Sequence, residues 1–525
     1  MRAPCDETLI QSASAAAPCR PEANPWILTA TILGSSMAFI DGTVVNVAIP
    51  TLQKAFHATV IDVQWVVESY GLLLSSLILA GGALGDLFGR RRMFLLGVII
   101  FAAASAACGL ASSIHKLVIA RSVQGVGAAL LVPGSLSIIG ASFDEKSRGR
   151  AIGTWSGFTS ITTALGPVLG GWLIEHGSWR WAFFLNVPIA CAVVVISLWH
   201  VPESCGSRLA HIDWLGALLA AAGLAGVVTA FLESARFGWS NPLVFGSLLA
   251  GVACIVIFVL VEAHASSPML RLGLFKSRPF SGANFITLFL YAAIGIFFFL
   301  FPMDLIQLHG YSTTATGASV LPIVLLMFFL SGWSGGLVSR YGARIPLIVG
   351  PLIGSVGFLL FALLPAKGSY WVTFFPATLV LGLGMAVTVA PLTTVVMGSV
   401  NQDHVGTASG INNAVARVAG VLAIAVLGIV MVKAFGSHLD QTLASLSLPP
   451  EIARGIRSKQ IDLAGLQLPQ GLDAHTAETL RRAIAGAFLA SFRLVMILCA
   501  ALSTASAIVA WRMIALSEVA LGRSG

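Results

Sequence analysis

Gly81-Gly-Ala-Leu-Gly-Asp-Leu-Phe-Gly-Arg-Arg-Arg92 is a polar, glycine-rich turn between two apolar runs, 62–83 and 93–112. Each run has about the 20 residues needed to cross a hydrocarbon core. The chain must therefore leave a membrane and re-enter it within this stretch. Glycines allow the reversal and let the flanking helices approach closely. Asp86 is placed to cap a helix end and to pair with a nearby base, and Arg90, Arg91 and Arg92 suit an anionic leaflet. Arginines that served topology alone would leave the spacing of Gly85, Asp86 and Gly89 without a reason.

The stretch has an echo at Gly335-Gly-Leu-Val-Ser-Arg-Tyr-Gly-Ala-Arg344, where Ser339 stands in the place of Asp86. Gly125-Val-Gly-Ala-Ala129 has one at Gly382-Leu-Gly-Met-Ala386, so the offsets are 253 and 257. Repeated halves with a site at their interface are the architecture of secondary transporters.

Composition agrees. Of 525 residues, 57% are hydrophobic and 10% charged, against about 25% charged in soluble domains. The 54 glycines suit close helix packing in lipid. Apolar runs fall near 26–50, 62–83, 93–112, 116–140, 149–174, 181–201, 213–232, 242–262, 280–302, 313–338, 345–364, 370–396, 407–432 and 486–511. The predicted fold is therefore an all-α integral membrane protein of fourteen transmembrane helices. With the N-terminus cytoplasmic, sixteen Lys and Arg fall in cytoplasmic segments and five (Lys54, Lys116, Arg180, Arg236, Lys367) in short outer loops. That asymmetry places both termini inside. The division predicted is a tail at 1–25, a six-helix bundle at 26–202, two inserted helices at 203–270, a second six-helix bundle at 271–512 and a tail at 513–525. The polar 1–25 segment lacks the basic start of a signal peptide. The outer segment 433–485 reads as a helical hairpin, either a solvated cap or a surface for a periplasmic adaptor.

Charges inside the apolar runs locate the candidate site, because a charge at the bilayer centre costs roughly 2.5–3.5 kcal/mol on insertion scales. Asp41 lies in Met37-Ala-Phe-Ile-Asp-Gly-Thr-Val-Val-Asn-Val-Ala-Ile-Pro50, about 14 Å from the outer end of its helix at 1.5 Å per residue. Glu68 lies about 9 Å from the outer end of the second helix, and Arg121 is at similar depth in the fourth. Two acids and a guanidinium at matched depth form a proton-binding and cation-binding cluster, since burial favours a neutral carboxyl and a cation favours its charged form. Competition between proton and ligand for one acid then suffices for exchange. The alternatives are local. Asp41 only hydrogen-bonds a neighbouring helix or caps a break near Gly42, Arg121 snorkels outward near Lys116, or Glu68 faces outer water. Asp304 reads as a gate or surface residue at the outer end of the ninth helix. Trp155, Tyr291, Phe297 and Trp333 either contact a lipophilic ligand or simply pack.

The turn at Gly81–Arg92 resembles the signature G-x-L-x-D-R-x-G-R-[KR]-[KR] of the major facilitator superfamily, with Leu87 at a position that is usually basic. Further stretches resemble its fourteen-helix drug:proton antiporters. These are the first-helix segment around Asp41, Arg121-Ser-Val-Gln-Gly-Val-Gly-Ala-Ala129, Gly166-Pro-Val-Leu-Gly-Gly171 and Trp179-Arg-Trp-Ala-Phe-Phe-Leu-Asn-Val-Pro188. The resemblance covers roughly 26–430 and 486–511. It implies two six-helix bundles plus two inserted helices, and proton-coupled efflux of lipophilic, cationic drugs by alternating access. A narrow exporter of one metabolite or antibiotic is the other reading. Arg121 would join Asp41 and Glu68 in proton coupling. Glu68, Trp155, Asn412 and Arg417 would line the substrate path. Gly82, Asp86, Gly89 and Arg90, with Gly166, Pro167, Gly170 and Gly171, would serve conformational change. The resemblance further implies a monomer in the bacterial cytoplasmic membrane that handles protons and a small-molecule substrate.

Other classes lack their signatures. No P-loop offers an ATP site, no H-E-x-x-H or Ser-His-Asp arrangement offers catalysis, and the seven cysteines form no metal spacing. No basic–aromatic stretch suits nucleic acid. A non-transporting membrane sensor, an enzyme or a cofactor role is therefore not expected.

Overall fold

The structure, a computed structural model, describes residues 23–143, 145–205, 213–265, 268, 270–365, 368–400, 405–445, 450–457, 460–466, 468 and 474–514. Among these residues there is no strand. Fourteen helices are long and apolar enough to cross a membrane. In lipid a backbone must satisfy its own polar groups, so long apolar runs fold as helices. The terminal tails read from sequence lie almost wholly outside the described residues.

The helices are α1 (Asn24–Phe56), α2 (Val60–Phe88), α3 (Arg90–Gly109), α4 (Ile114–Ser142), α5 (Glu145–His176), α6 (Trp181–His200), α7 (Trp214–Phe237), α8 (Pro242–His264) and α9 (Arg278–Met303). After them come α10 (Leu321–Tyr341), α11 (Arg344–Ala362), α12 (Phe374–Gly398), α13 (Val405–Ser445) and α14 (Ala474–Met513). A single π-helical turn, Asp304–Leu308, closes α9. The apolar run 313–338 divides at Val320, between a short helix Thr313–Ser319 and α10, whose first turn holds Pro322.

The segment 433–485, expected as an outer helical hairpin, is largely helix among its described residues. α13 has 41 residues and α14 has 40, each about 60 Å long and twice a bilayer core. Lys433, Asp440, Arg481 and Arg482 end the apolar pattern without ending the helix, and Arg482 pairs with Glu478 one turn away at 3.1 Å. Between these helices lie Pro450–Arg457 and a 3₁₀ turn, Gln460–Gly465. Arg457 and Gln460 each donate to Asp440 at 2.9 Å.

The chain forms two compact units. One contains Met1–Ala48, Trp65–Ala225 and Gly251–Leu272, and the other contains Ile49–Gln64, Gly226–Ala250 and Gly273–Gly525. In the first, α3 packs along α4 at Gly97 and Gly127, where a Cβ on either residue would lie 2.9 Å from the other's carbonyl oxygen. In the second, α11 packs along α12 at Gly354 and Gly384, where a Cβ on Gly384 would lie 2.7 Å from the Gly354 Cα. Both glycines of the second pair stand 257 positions after those of the first, so the internal repeat extends to helix contacts. Small residues let backbones approach closely, which is how helices associate in lipid. Phe297, Phe301, Phe358, Phe361 and Phe374 fill the second unit between α9, α11 and α12. The outward faces carry large apolar side chains, such as Leu243, Leu249, Val256 and Leu260 on α8.

Gly127→Val should destabilise the protein by about 1–3 kcal/mol through overpacking, seen as a lower unfolding temperature in detergent. Gly246→Ala, with nothing within 4 Å of its Cβ position, should leave that temperature unchanged.

Candidate functional site

Asp41 and Arg121 meet inside the first unit. Each side chain is 1% exposed. Arg121 Nη1 donates to Asp41 Oδ2 and, at 2.8 Å, to Gln124 Oε1. Its Nε donates to the backbone carbonyl of Val66 on α2 at 3.1 Å. The guanidinium also lies over the Tyr70 ring, 4.2 Å from the centroid, where a cation is attracted to the π face.

The Asp41 carboxylate is satisfied from several helices. Gln124 Nε2 donates to its Oδ1 at 2.8 Å, and Asn186 Nδ2 reaches the same oxygen at 3.4 Å. Asn186 also donates to Ser105 Oγ at 3.0 Å, and Ser105 donates to the Phe183 carbonyl at 2.8 Å. Cys108 donates weakly to Gln124 at 3.7 Å. The network thus joins α1, α2, α3, α4 and α6. Arg121 does not snorkel outward, and Asp41 does not cap a break, since α1 runs unbroken through Gly42.

Gln124, Asn186, Ser105, Cys108 and Tyr70 are site members that the charge-based reading missed. Gln124 lies within the fourth-helix motif and Asn186 within the Trp179–Pro188 stretch. A neutral polar group at membrane depth is a weaker signal than a charge, although it too requires a partner.

Glu68 is 0% exposed, and neither carboxylate oxygen has a hydrogen-bond partner among the described residues. It is buried beside the network by sequence without joining it. Asp304 is 1% exposed, so it is not a surface residue. Trp155 is half-buried and donates to Ser35 Oγ at 3.1 Å. In the second unit, Asn412 on α13 donates to Asn284 Oδ1 at 3.2 Å and Thr287 Oγ1 at 2.7 Å on α9. Arg417 is half-buried further along α13.

The glycines of α5 explain its motif. A Cβ on Gly166 would strike Thr43 and lie 3.2 Å from the Ile40 carbonyl, and one on Gly170 would lie 2.7 Å from Val44 Cγ1. Gly166 and Gly170 therefore press α5 onto α1 at the residues that bracket Asp41. Pro167 sits inside α5, where it removes a backbone hydrogen bond, and Gly171 is buried on the same helix.

The Gly81–Arg92 turn is held differently from expectation. Asp86 pairs with Arg90 at 2.8 Å, but it does not cap α3. Glu203, after α6, accepts from the backbone amides of Arg91 at 3.1 Å and Arg92 at 3.3 Å. A carboxylate there also meets the positive end of the helix dipole. Gly89 has φ +106°, and a Cβ on it would lie 2.7 Å from Glu203 Oε1, so glycine is required on both counts. Gly82 makes only an ordinary contact with Pro133. Sequence reading missed Glu203 because it is more than 110 residues from its partners. Among the described residues no group of three His, Cys, Asp or Glu is placed to hold a metal ion.

The profile of the Major Facilitator Superfamily matches residues 31–212 and 209–424. The chain is 34% identical over 440 residues to the multidrug resistance protein Stp of Mycobacterium tuberculosis, covering 83% of this chain and 80% of that one. It is 32% identical over 493 residues to the tetracenomycin C resistance and export protein of Streptomyces glaucescens, covering 93% and 91%. The crystal structure of a bacterial homologue of the human lysosomal transporter Spinster has the same fold, with a TM-score of 0.65, 18% identity and coverage of 93% and 98%.

Removing one partner of a buried ion pair leaves an uncompensated charge, at a cost of about 3–5 kcal/mol. Asp41→Asn and Arg121→Gln should each lower stability by that amount in chemical denaturation. The double variant should recover most of the loss, a coupling that a double-mutant cycle measures. Glu203→Gln should leave the Asp41 network intact and weaken only the α3 start, seen as faster amide exchange at Arg91 and Arg92.

Proposed function

The chain belongs to the Major Facilitator Superfamily, and we propose that it exports lipophilic cationic compounds in exchange for protons by alternating access. The carrying observation is the Asp41–Arg121 pair, fully buried at the centre of a network that joins five helices of one unit. A charge pair with that burial is costly, and in a transport family a function is the natural reason for it.

A proton on Asp41 removes its charge and leaves Arg121 with Gln124, the Val66 carbonyl and the Tyr70 ring. The balance of contacts among α1, α2, α4 and α6 then changes. Gly166, Pro167, Gly170 and Gly171 let α5 follow α1, and Gly82, Asp86, Gly89, Arg90 and Glu203 hold the α2–α3 turn as a unit. Glu68, buried without a hydrogen-bond partner, is the carboxyl that a cationic substrate satisfies. Trp155, Asn412 and Arg417 line the path. In this reading two six-helix bundles are joined by inserted helices α7 and α8, both termini are cytoplasmic, and the membrane is the bacterial cytoplasmic one.

A narrower reading, export of a single antibiotic, is favoured by the 93% coverage of a relative named for tetracenomycin C resistance and export. Dye efflux separates the two. Inverted vesicles with an imposed proton gradient should accumulate a monovalent cationic dye. Asp41→Asn should abolish that accumulation for every substrate, and Glu68→Gln should lower it at least tenfold, about 1.4 kcal/mol, for cations while sparing neutral drugs. Unchanged gradient-driven transport in both variants would sink the carboxylate mechanism, and absence of transport for any dye would favour the narrow exporter.

A further inference from the structure

The second unit holds a buried acid–imidazole pair that the efflux mechanism does not use. The π turn Asp304–Leu308 adds one residue to a helical turn, so the fifth residue after Asp304 comes back over it. That residue is His309. Its Nδ1 lies 3.4 Å from Asp304 Oδ2 and 3.2 Å from the Asp304 carbonyl oxygen. The two side chains are 7% and 2% exposed. The edge of the imidazole meets Phe374 with centroids 5.0 Å apart. Asp304 Oδ1 and His309 Nε2 have no hydrogen-bond partner among the described residues.

The same turn carries Gln307, whose Nε2 donates to Gln53 Oε1 at 2.8 Å. Gln53 belongs to the last turns of α1, within the segment Ile49–Gln64 that is part of this second unit. Two further contacts hold that segment there. Arg236 donates to Asp62 at 2.6 Å and to Thr59 at 2.8 Å, and a Cβ on Gly428 would strike Gln64. The Asp304–His309 pair therefore sits in the π turn whose Gln307 holds the tip of the α1–α2 hairpin.

We propose that Asp304 and His309 form a second proton-binding site, whose charged form holds the α1–α2 hairpin on the end of α9. The site rests on the transport reading only for the source of its proton. Its structural claim stands apart from any substrate.

The surrounding titratable groups are few. Tyr311 follows the π turn, Tyr370 precedes α12, and Asp462 lies on the 3₁₀ turn Gln460–Gly465 packed against it. The hairpin brings exposed Lys54 and His57, with Asp62 engaged by Arg236. Burial pushes the His309 imidazole down, but the hydrogen bond and charge of Asp304 outweigh it and leave the group above its ordinary value. A raised imidazole favours the folded contact at low pH, and the contribution is lost as pH rises through the raised value. With the proton gone, Asp304 is a buried carboxylate beside a neutral ring, and the turn that presents Gln307 loses its clamp.

The test uses the full chain in nanodiscs, where neither topology nor substrate enters. Ring-¹³C histidine NMR, with His309 assigned by its loss in His309→Gln, should show His309 titrating at higher pH than exposed His438. Asp304→Asn should bring it down to or below His438. The latch is read by maleimide labelling in a cysteine-free background. The rate at Ala58→Cys, buried in the hairpin, is divided by that at exposed Lys54→Cys. The ratio should rise several-fold as pH passes the His309 titration. It should be high and flat in Asp304→Asn and in His309→Gln, the second variant guarding against misfolding of the first. His57→Gln should leave the profile unchanged. His309 titrating with His438, a flat ratio in the unmodified protein, or a profile abolished by His57→Gln would each overturn the proposal.

Discussion

A guanidinium and a carboxylate placed in hydrocarbon must be answered at close range, and the packing of the first unit follows from that need. Asp41 and Arg121 answer each other, but a single pair leaves donors and lone pairs over. Gln124, Asn186, Ser105, the Val66 carbonyl and the Tyr70 ring take them up. They come from α2, α3, α4 and α6, so satisfying one charge pair ties those helices around α1. A buried ion pair is poor evidence for stability, because its desolvation cost rivals its attraction. Under the proposed exchange mechanism, the pair in its five-helix network is a poised element whose contacts are redistributed when one proton arrives.

The glycines serve the same end. Gly166 and Gly170 bring α5 onto α1 at the turns that flank Asp41, where the α5 backbone meets the Thr43 and Val44 side chains. Gly97 with Gly127, and Gly354 with Gly384, make the equivalent helix contacts of the two halves. The acids are not repeated with them. Asp86 has Ser339 at its counterpart position, and the titratable pair of the second unit, Asp304 with His309, arises from a π turn instead of from the repeat. One chain thus keeps its packing duplicated and its ionisable chemistry distinct in each half.

Much of this was legible in sequence. Fourteen apolar runs give fourteen spans, because hydropathy over about 20 residues is a direct readout of the solvent. Asp41 and Arg121 were legible for the same reason, as charges in apolar surroundings at matched depth. Three things were not. The lengths of α13 and α14 were hidden because hydropathy marks where lipid ends and says nothing of where hydrogen bonding ends. Glu203 was hidden because capping across 110 residues leaves no local pattern. For Asp304, a position near a helix end suggests a gate or surface residue, and the surface half of that reading fails because the π turn buries it beside His309. Glu68 was legible as a buried acid, but depth alone did not show that it stands outside the Asp41 network.

The most direct measurement of the central claim is proton movement by the purified protein in proteoliposomes, with a pH dye enclosed and no imposed gradient. Addition of a lipophilic cation on one side should drive protons the opposite way, at a rate that follows substrate concentration, and Asp41→Asn liposomes should show substrate binding without proton movement. Substrate uptake that moves no protons in the unmodified protein, or proton movement that persists in Asp41→Asn, would contradict the account.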